Sequence, residues 1–132
     1  MGSNKILVVD DEETILFAVS NYFETCGIQV DYAQELEEAE ALLITGSYSV
    51  LVTDLCLTGA QGLEGLELIR FTRENCPWMR ILVMTGYGSP ELELEALKRG
   101  VNLFLHKPKP LAEILQSVIA LLGDTNGNPV TL

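Results

Sequence analysis

Basic residues are scarce in this chain: Lys and Arg number eight against nineteen Asp and Glu, and the formal net charge over 132 residues is -11. Binding to nucleic acid or to an anionic membrane depends on neutralising phosphate with Lys and Arg, so the balance argues against both for the chain itself. The acidic excess reads instead as a solubilising surface. Cysteine is sparse too. Cys26, Cys56 and Cys76 form no CxxC pair, show no metal-like spacing and are odd in number, which excludes a disulfide scaffold and fits reduced, intracellular thiols used as small hydrophobes. There is no secretory signal and no apolar run of transmembrane length, so a cytoplasmic protein is expected.

What is present is enough apolar material for one core. With 48% hydrophobic residues, a chain of this size builds a single ordinary domain and is too short for two well-buried ones. The expected organisation is an N-terminal tag or tail over 1–4, a domain over 5–122, and a small, polar tail or the start of a linker over 123–132.

Val50 to Asp54, Val-Leu-Val-Thr-Asp, is an apolar, β-branched run that stops on a carboxylate. A buried parallel strand delivers one acidic side chain to the rim of a sheet in this way. Three other runs behave alike: Lys5 onward ends on Asp10-Asp11, Ile81 to Thr85 ends on a hydroxyl, and Leu103 to Lys107 ends on an ammonium. Ile28 to Tyr32 alternates apolar and polar residues like a half-buried strand near an edge.

Between these runs lie helical stripes. Ile15, Leu16, Val19, Tyr22 and Phe23 form the first, with Gly27 as its stop. Leu36, Ala39, Leu42 and Leu43 form the second. Leu66, Ile69 and the carbons of Arg70 and Arg73 form the third, which Pro77 ends. The fourth starts at Ser89-Pro90, stops at Gly100 and has a thin apolar face of Leu92, Leu94, Ala96 and Leu97, making it a candidate moving part. The fifth, Leu111, Ile114, Leu115, Val118, Leu121 and Leu122, is the cleanest. A strand over Val101 to His106 precedes it. Five strands alternating with five helices predict an α/β, doubly wound (βα)5 fold with a five-stranded parallel sheet covered on both faces.

In such a sheet the ligand crevice lies beyond the carboxyl ends of the strands, so the four polar endings converge on one point. Asp10, Asp11 and Asp54 close together require a proton or a cation. A hard divalent ion with oxygen ligands, above all Mg²⁺, meets that need. A carboxylate also serves as a nucleophile toward a phosphoryl group, with Lys107 as the matching point charge and Thr85 as a hydrogen-bond donor to the phosphoryl oxygens. Singly, Asp10 reads as a helix cap, Thr85 as a strand end and Lys107 as a solvated turn residue. Jointly they read as a site.

The pattern Asp10-Asp11, Asp54, Met84-Thr85-Gly86 and Lys107-Pro108 resembles the receiver domain of bacterial two-component response regulators, over about Lys5 to Leu122. The resemblance implies a flavodoxin-like fold with sheet order 2-1-3-4-5 and a cis bond between Lys107 and Pro108. It implies a phosphoryl group accepted on Asp54 from a sensor histidine kinase or phosphotransfer protein. Mg²⁺ would be held by Asp10, Asp11, Asp54 and the backbone carbonyl of Cys56. Thr85 and Phe104 would form a switch pair, while Cys56 and Tyr87 would set how easily water attacks the phosphoryl group. The only enzymatic activity implied is Mg²⁺-dependent self-phosphorylation with slow self-dephosphorylation.

Output would pass through the fourth helix, fifth strand and fifth helix to an output domain or target protein, with a phosphorylation-dependent homodimer as a further partner. The rival is a receiver-like module that docks a protein without being phosphorylated; intact Asp54, Thr85 and Lys107 count against it. A flavodoxin-like electron carrier is disfavoured because Asp10-Asp11-Glu12-Glu13 would repel a phosphate after the first strand. Three features depart from the family: Leu57 is followed by Thr58 where proline is usual, the connection before the third helix is about three residues longer than usual, and Lys109 stands where an aromatic often follows the Lys-Pro step. His106, the one histidine, reads as a surface or partly buried polar residue turned away from the neighbours of Phe104.

Overall fold

The structure, a computed structural model, describes residues 5–55, 63–86 and 89–123. The elements alternate strictly: β1 (Lys5–Val9), α1 (Glu13–Glu24), β2 (Gln29–Ala33), α2 (Leu36–Thr45), β3 (Val50–Thr53), α3 (Leu63–Asn75), β4 (Arg80–Thr85), α4 (Pro90–Lys98), β5 (Leu103–His106) and α5 (Leu111–Gly123). The strands pair in the order β2-β1-β3-β4-β5, every pair parallel. The sheet order and the doubly wound fold are thus as expected. The assignments for 1–4, for 124–132 and for Cys56 and Tyr87 fall outside the described residues.

The period-2 alternation of the strands divides the core in two. Leu7, Val9, Leu51, Ile81 and Val83 face α2, α3 and α4 through Ala39, Leu43, Leu68, Ile69 and Ala96. Ile6, Val8, Val50, Val52, Leu82 and Met84 face α1 and α5 through Leu16, Val19, Phe23, Ile114, Val118 and Leu121. β3 is buried along its whole length, which is why its sequence is apolar without interruption.

Three details differ from the sequence reading. β2 begins at Gln29 and runs through Ala33, because Ile28 is spent on the core beside α1 before pairing with Lys5 starts. β5 begins at Leu103 because Asn102 substitutes its side chain for strand backbone. Asn102 Oδ1 accepts the Ile81 N–H at 2.8 Å and also takes Arg73 Nη2 at 3.1 Å. Arg70 supplies no apolar face; it is exposed and paired with Glu67 and Glu74.

Close packing sets the start of α3. A Cβ on Gly65 would lie 2.3 Å from Leu55 Cα, so only glycine lets this first turn sit against the backbone that follows Asp54. The stops predicted at Gly27 and Gly100 are present, both at positive φ.

Candidate functional site

The order of the sheet reverses between β1 and β3, and Asp10 and Asp54 extend from those two strands. Register Val9↔Thr53 brings them level. Asp10 N–H donates to Ala33 O and Asp54 N–H donates to Val9 O, each at 3.1 Å, so both carboxylates leave from backbone still held by the sheet. Both residues are buried. Asp11, next along, is exposed.

Lys107 reaches the pair from the far side of the site. Its backbone N–H donates to Thr85 O at 2.9 Å, and the Lys107–Pro108 peptide is cis, as the resemblance implies. Its ammonium donates to Asp10 Oδ2 at 2.6 Å, to Asp54 Oδ2 at 2.8 Å and to Glu12 Oε1 at 3.3 Å. One charge from the residue that follows β5 therefore bridges the ends of β1 and β3. Burial works against this ammonium, but its hydrogen bonds to the two aspartates outweigh burial and hold it above lysine's ordinary value. Burial also pushes the Asp10 carboxyl up, and the Lys107 and Glu12 N–H hydrogen bonds offset that only in part.

The donor set suits a hard cation. Carboxylate oxygens of Asp10, Asp11 and Glu12 lie within 4.8 Å of one another, and Asp10 is a buried acid that one lysine does not fully compensate. All-oxygen, acidic surroundings favour Mg²⁺-type ions over softer metals. Glu12 is the residue the sequence reading leaves out. Its signal is the unbroken acidic run from Asp10 to Glu13; what selects it from that run is its backbone N–H donating to Asp10 Oδ1 at 3.0 Å and its carboxylate meeting Lys107.

A cleft of about 870 Å³ opens beside these groups, lined by Asp11, Glu12, Asp54, Gly86 and Lys107 among others. Thr85 is fully buried at the end of β4. Gly86 is not demanded by space, since a Cβ there would lie 3.7 Å from Lys107 Cβ, an ordinary contact. Phe104 is partly buried against the α2–α4 side of the core. His106 is a surface residue as expected, but it does not turn away. Two positions from Phe104 on one strand, it shares the same side, with ring centroids 5.3 Å apart.

A family model described as the response regulator receiver domain matches residues 6–119. The chain belongs to that family. RegA, the photosynthetic apparatus regulatory protein of Cereibacter sphaeroides, is 32% identical over 121 residues, which cover 91% of this chain and 64% of RegA. The receiver thus spans under two thirds of the length of that curated relative.

Among solved structures, a Burkholderia pseudomallei response regulator with a phosphorylated aspartic acid, calcium ion and citrate is 31% identical at TM-score 0.79. That match covers 95% of this chain and 69% of that one. The beryllofluoride-activated NtrC4 receiver domain dimer is 33% identical at TM-score 0.81, covering 91% of this chain and 97% of that one. The chain is therefore a receiver of the two-component type, a class consistent with phosphorylation-dependent signalling. No helix among the described residues is long and apolar enough to cross a membrane.

Proposed function

We propose that this receiver is a phosphorylation switch whose acceptor is Asp54. The observation that carries the reading is the Lys107 ammonium held between Asp10 and Asp54. The donor is a phosphohistidine of a sensor kinase or phosphotransfer protein, or a small acyl phosphate. An Asp54 oxygen attacks phosphorus in line, the bond from phosphorus to the donor nitrogen or oxygen breaks, and the leaving group keeps that electron pair, an imidazole departing protonated and neutral and a carboxylate departing as its anion. Lys107 neutralises charge on the transferring oxygens while its bond to Asp10 holds it in place. Thr85 donates to a phosphoryl oxygen once one is present.

Asp10, Asp11 and Asp54, with the Cys56 carbonyl, are the groups that would hold Mg²⁺, and Glu12 stands beside them. When bound, the ion supplies positive charge against the acidic cluster and the phosphoryl oxygens. The calcium ion and phosphorylated aspartate named for the Burkholderia relative support this reading.

Turning of Thr85 toward the phosphoryl group would vacate space that Phe104 fills, changing the face made by α4, β5 and α5 for a target protein, an output domain or a second receiver. The dimer named for NtrC4 supports the last of these. By the family resemblance, Cys56 and Tyr87 would set how easily water attacks the phosphoryl group, slow self-dephosphorylation being the only other activity. The domain works in the cytoplasm, and its acidity keeps it from contacting nucleic acid itself.

The test is incubation with Mg²⁺ and acetyl phosphate, with mass spectrometry of the protein and of Asp54→Asn. A phosphoryl adduct on the parent alone is the expected result. An adduct on both, or on neither, removes the reading.

A further inference from the structure

α4 is held to the rest of the molecule mostly by polar tethers. Ala96 is its one fully buried side chain, Leu92 is partly buried, and Leu94 and Leu97 are exposed. At its C-terminal end Arg99 Nη1 donates to Leu66 O on α3 at 3.2 Å. Nearer its start, Glu93 shares the inner side of the helix with Ala96, three residues on. There Glu93 Oε2 meets His106 Nε2 on β5 at 2.7 Å. The same imidazole packs on the Phe104 ring, and its register partner on β4 is Thr85. One side chain therefore touches the moving candidate helix and the switch aromatic, and sits beside the switch threonine.

We propose that His106 is a positioning residue that pins the first half of α4 to β5 in the resting receiver through its bond to Glu93. If the switch reading above holds, the pin opposes activation; the pin itself does not rest on that reading. Charged groups around the ring are of both signs. Glu93 faces it from α4, Lys107 and Lys109 follow it in the chain, and Asp11, Glu12 and Asp54 share the cleft it lines. Thr85, alongside on β4, does not titrate. Lys107 is engaged by Asp10 and Asp54, which leaves Glu93 as the carboxylate bonded to the ring.

Both partners are partly solvated, with side-chain exposures of 63% and 27%, so the pair is a modest one. It matters because so little of α4 is buried.

Amide hydrogen exchange of the intact chain tests the pin without using phosphoryl chemistry, so its failure is distinguishable from failure of the acetyl phosphate test. At neutral pH, α4 amides in Glu93→Gln and His106→Gln should exchange about two- to fivefold faster than in the parent, with α2 unchanged. Because one and the same bond is lost in each, the double variant should exchange no faster than either single variant. His106→Arg, which keeps donors opposite Glu93, should keep α4 slow. A double variant whose effect is the full product of the two singles, α2 quickening together with α4, or no change in α4 would each overturn the proposal.

Discussion

Lys107 Nζ lies 2.8 Å from Asp54 Oδ2 and 2.6 Å from Asp10 Oδ2. The proposed acceptor thus already has a counter-charge in the resting protein, and the lysine side chain is only 16% exposed. Replacing Lys107 with alanine strands two buried carboxylates together. Removing one partner of a fully buried pair costs about 3–5 kcal/mol; the open cleft lets water in, so a loss of about 1–3 kcal/mol is expected here. Urea unfolding at neutral pH in EDTA measures it, and a parent-like midpoint would show that the lysine is not what compensates the pair.

Magnesium should stabilise the fold through the same acids. A ligand that binds only the native state adds about 1.4 kcal/mol at ten times its Kd. The melting temperature should therefore climb with Mg²⁺ over EDTA, and the climb should be largely lost in Asp10→Asn. Calorimetry with Mg²⁺ and, as a control for ionic strength, Na⁺ separates site binding from screening. An identical climb in parent and variant would mean the acids do not hold the ion.

Asp10 sets a pH dependence whose sign is fixed by burial. Its carboxyl is raised above the ordinary value, so it favours the native state when protonated, and that contribution is lost as pH rises through the folded value. Without Mg²⁺, Asp10→Asn should be more stable than the parent at neutral pH. The gap should close as pH falls through the acid range toward the unfolded carboxyl value. Unfolding curves at a series of pH values test this; a gap that widens in acid has the wrong sign.

The residues that were legible in sequence share a physical reason. β3 and β4 are buried on both faces, so their apolar runs end abruptly, and the parallel fold then obliges Asp54 and Thr85 to appear at one rim. Glu12 is different: four consecutive acids, Asp10 to Glu13, look alike until the reach of Lys107 selects among them. The orientation of His106 depends on how α4 docks, and Asn102 delays the start of β5 through a side-chain bond that mimics a backbone one. Those relationships are tertiary, and no local period carries them.

Glycine at 65 and glycine at 86 flank the same site yet answer to different constraints. At Gly65 an added Cβ meets Leu55 backbone at 2.3 to 2.6 Å, which no side-chain rotation relieves. α3 would have to lift off the segment following Asp54, giving up a hydrogen bond from Gly65 N–H to Leu55 O at 3.0 Å. Overpacking of this kind costs about 1–3 kcal/mol, and the backbone clash places Gly65→Ala at or above the upper end. At Gly86 the nearest atom is 3.7 Å away, so Gly86→Ala should fall within about 0.5 kcal/mol of the parent. Chemical denaturation of the two variants side by side decides the matter: similar losses would mean that the Leu55 contact does not seat α3.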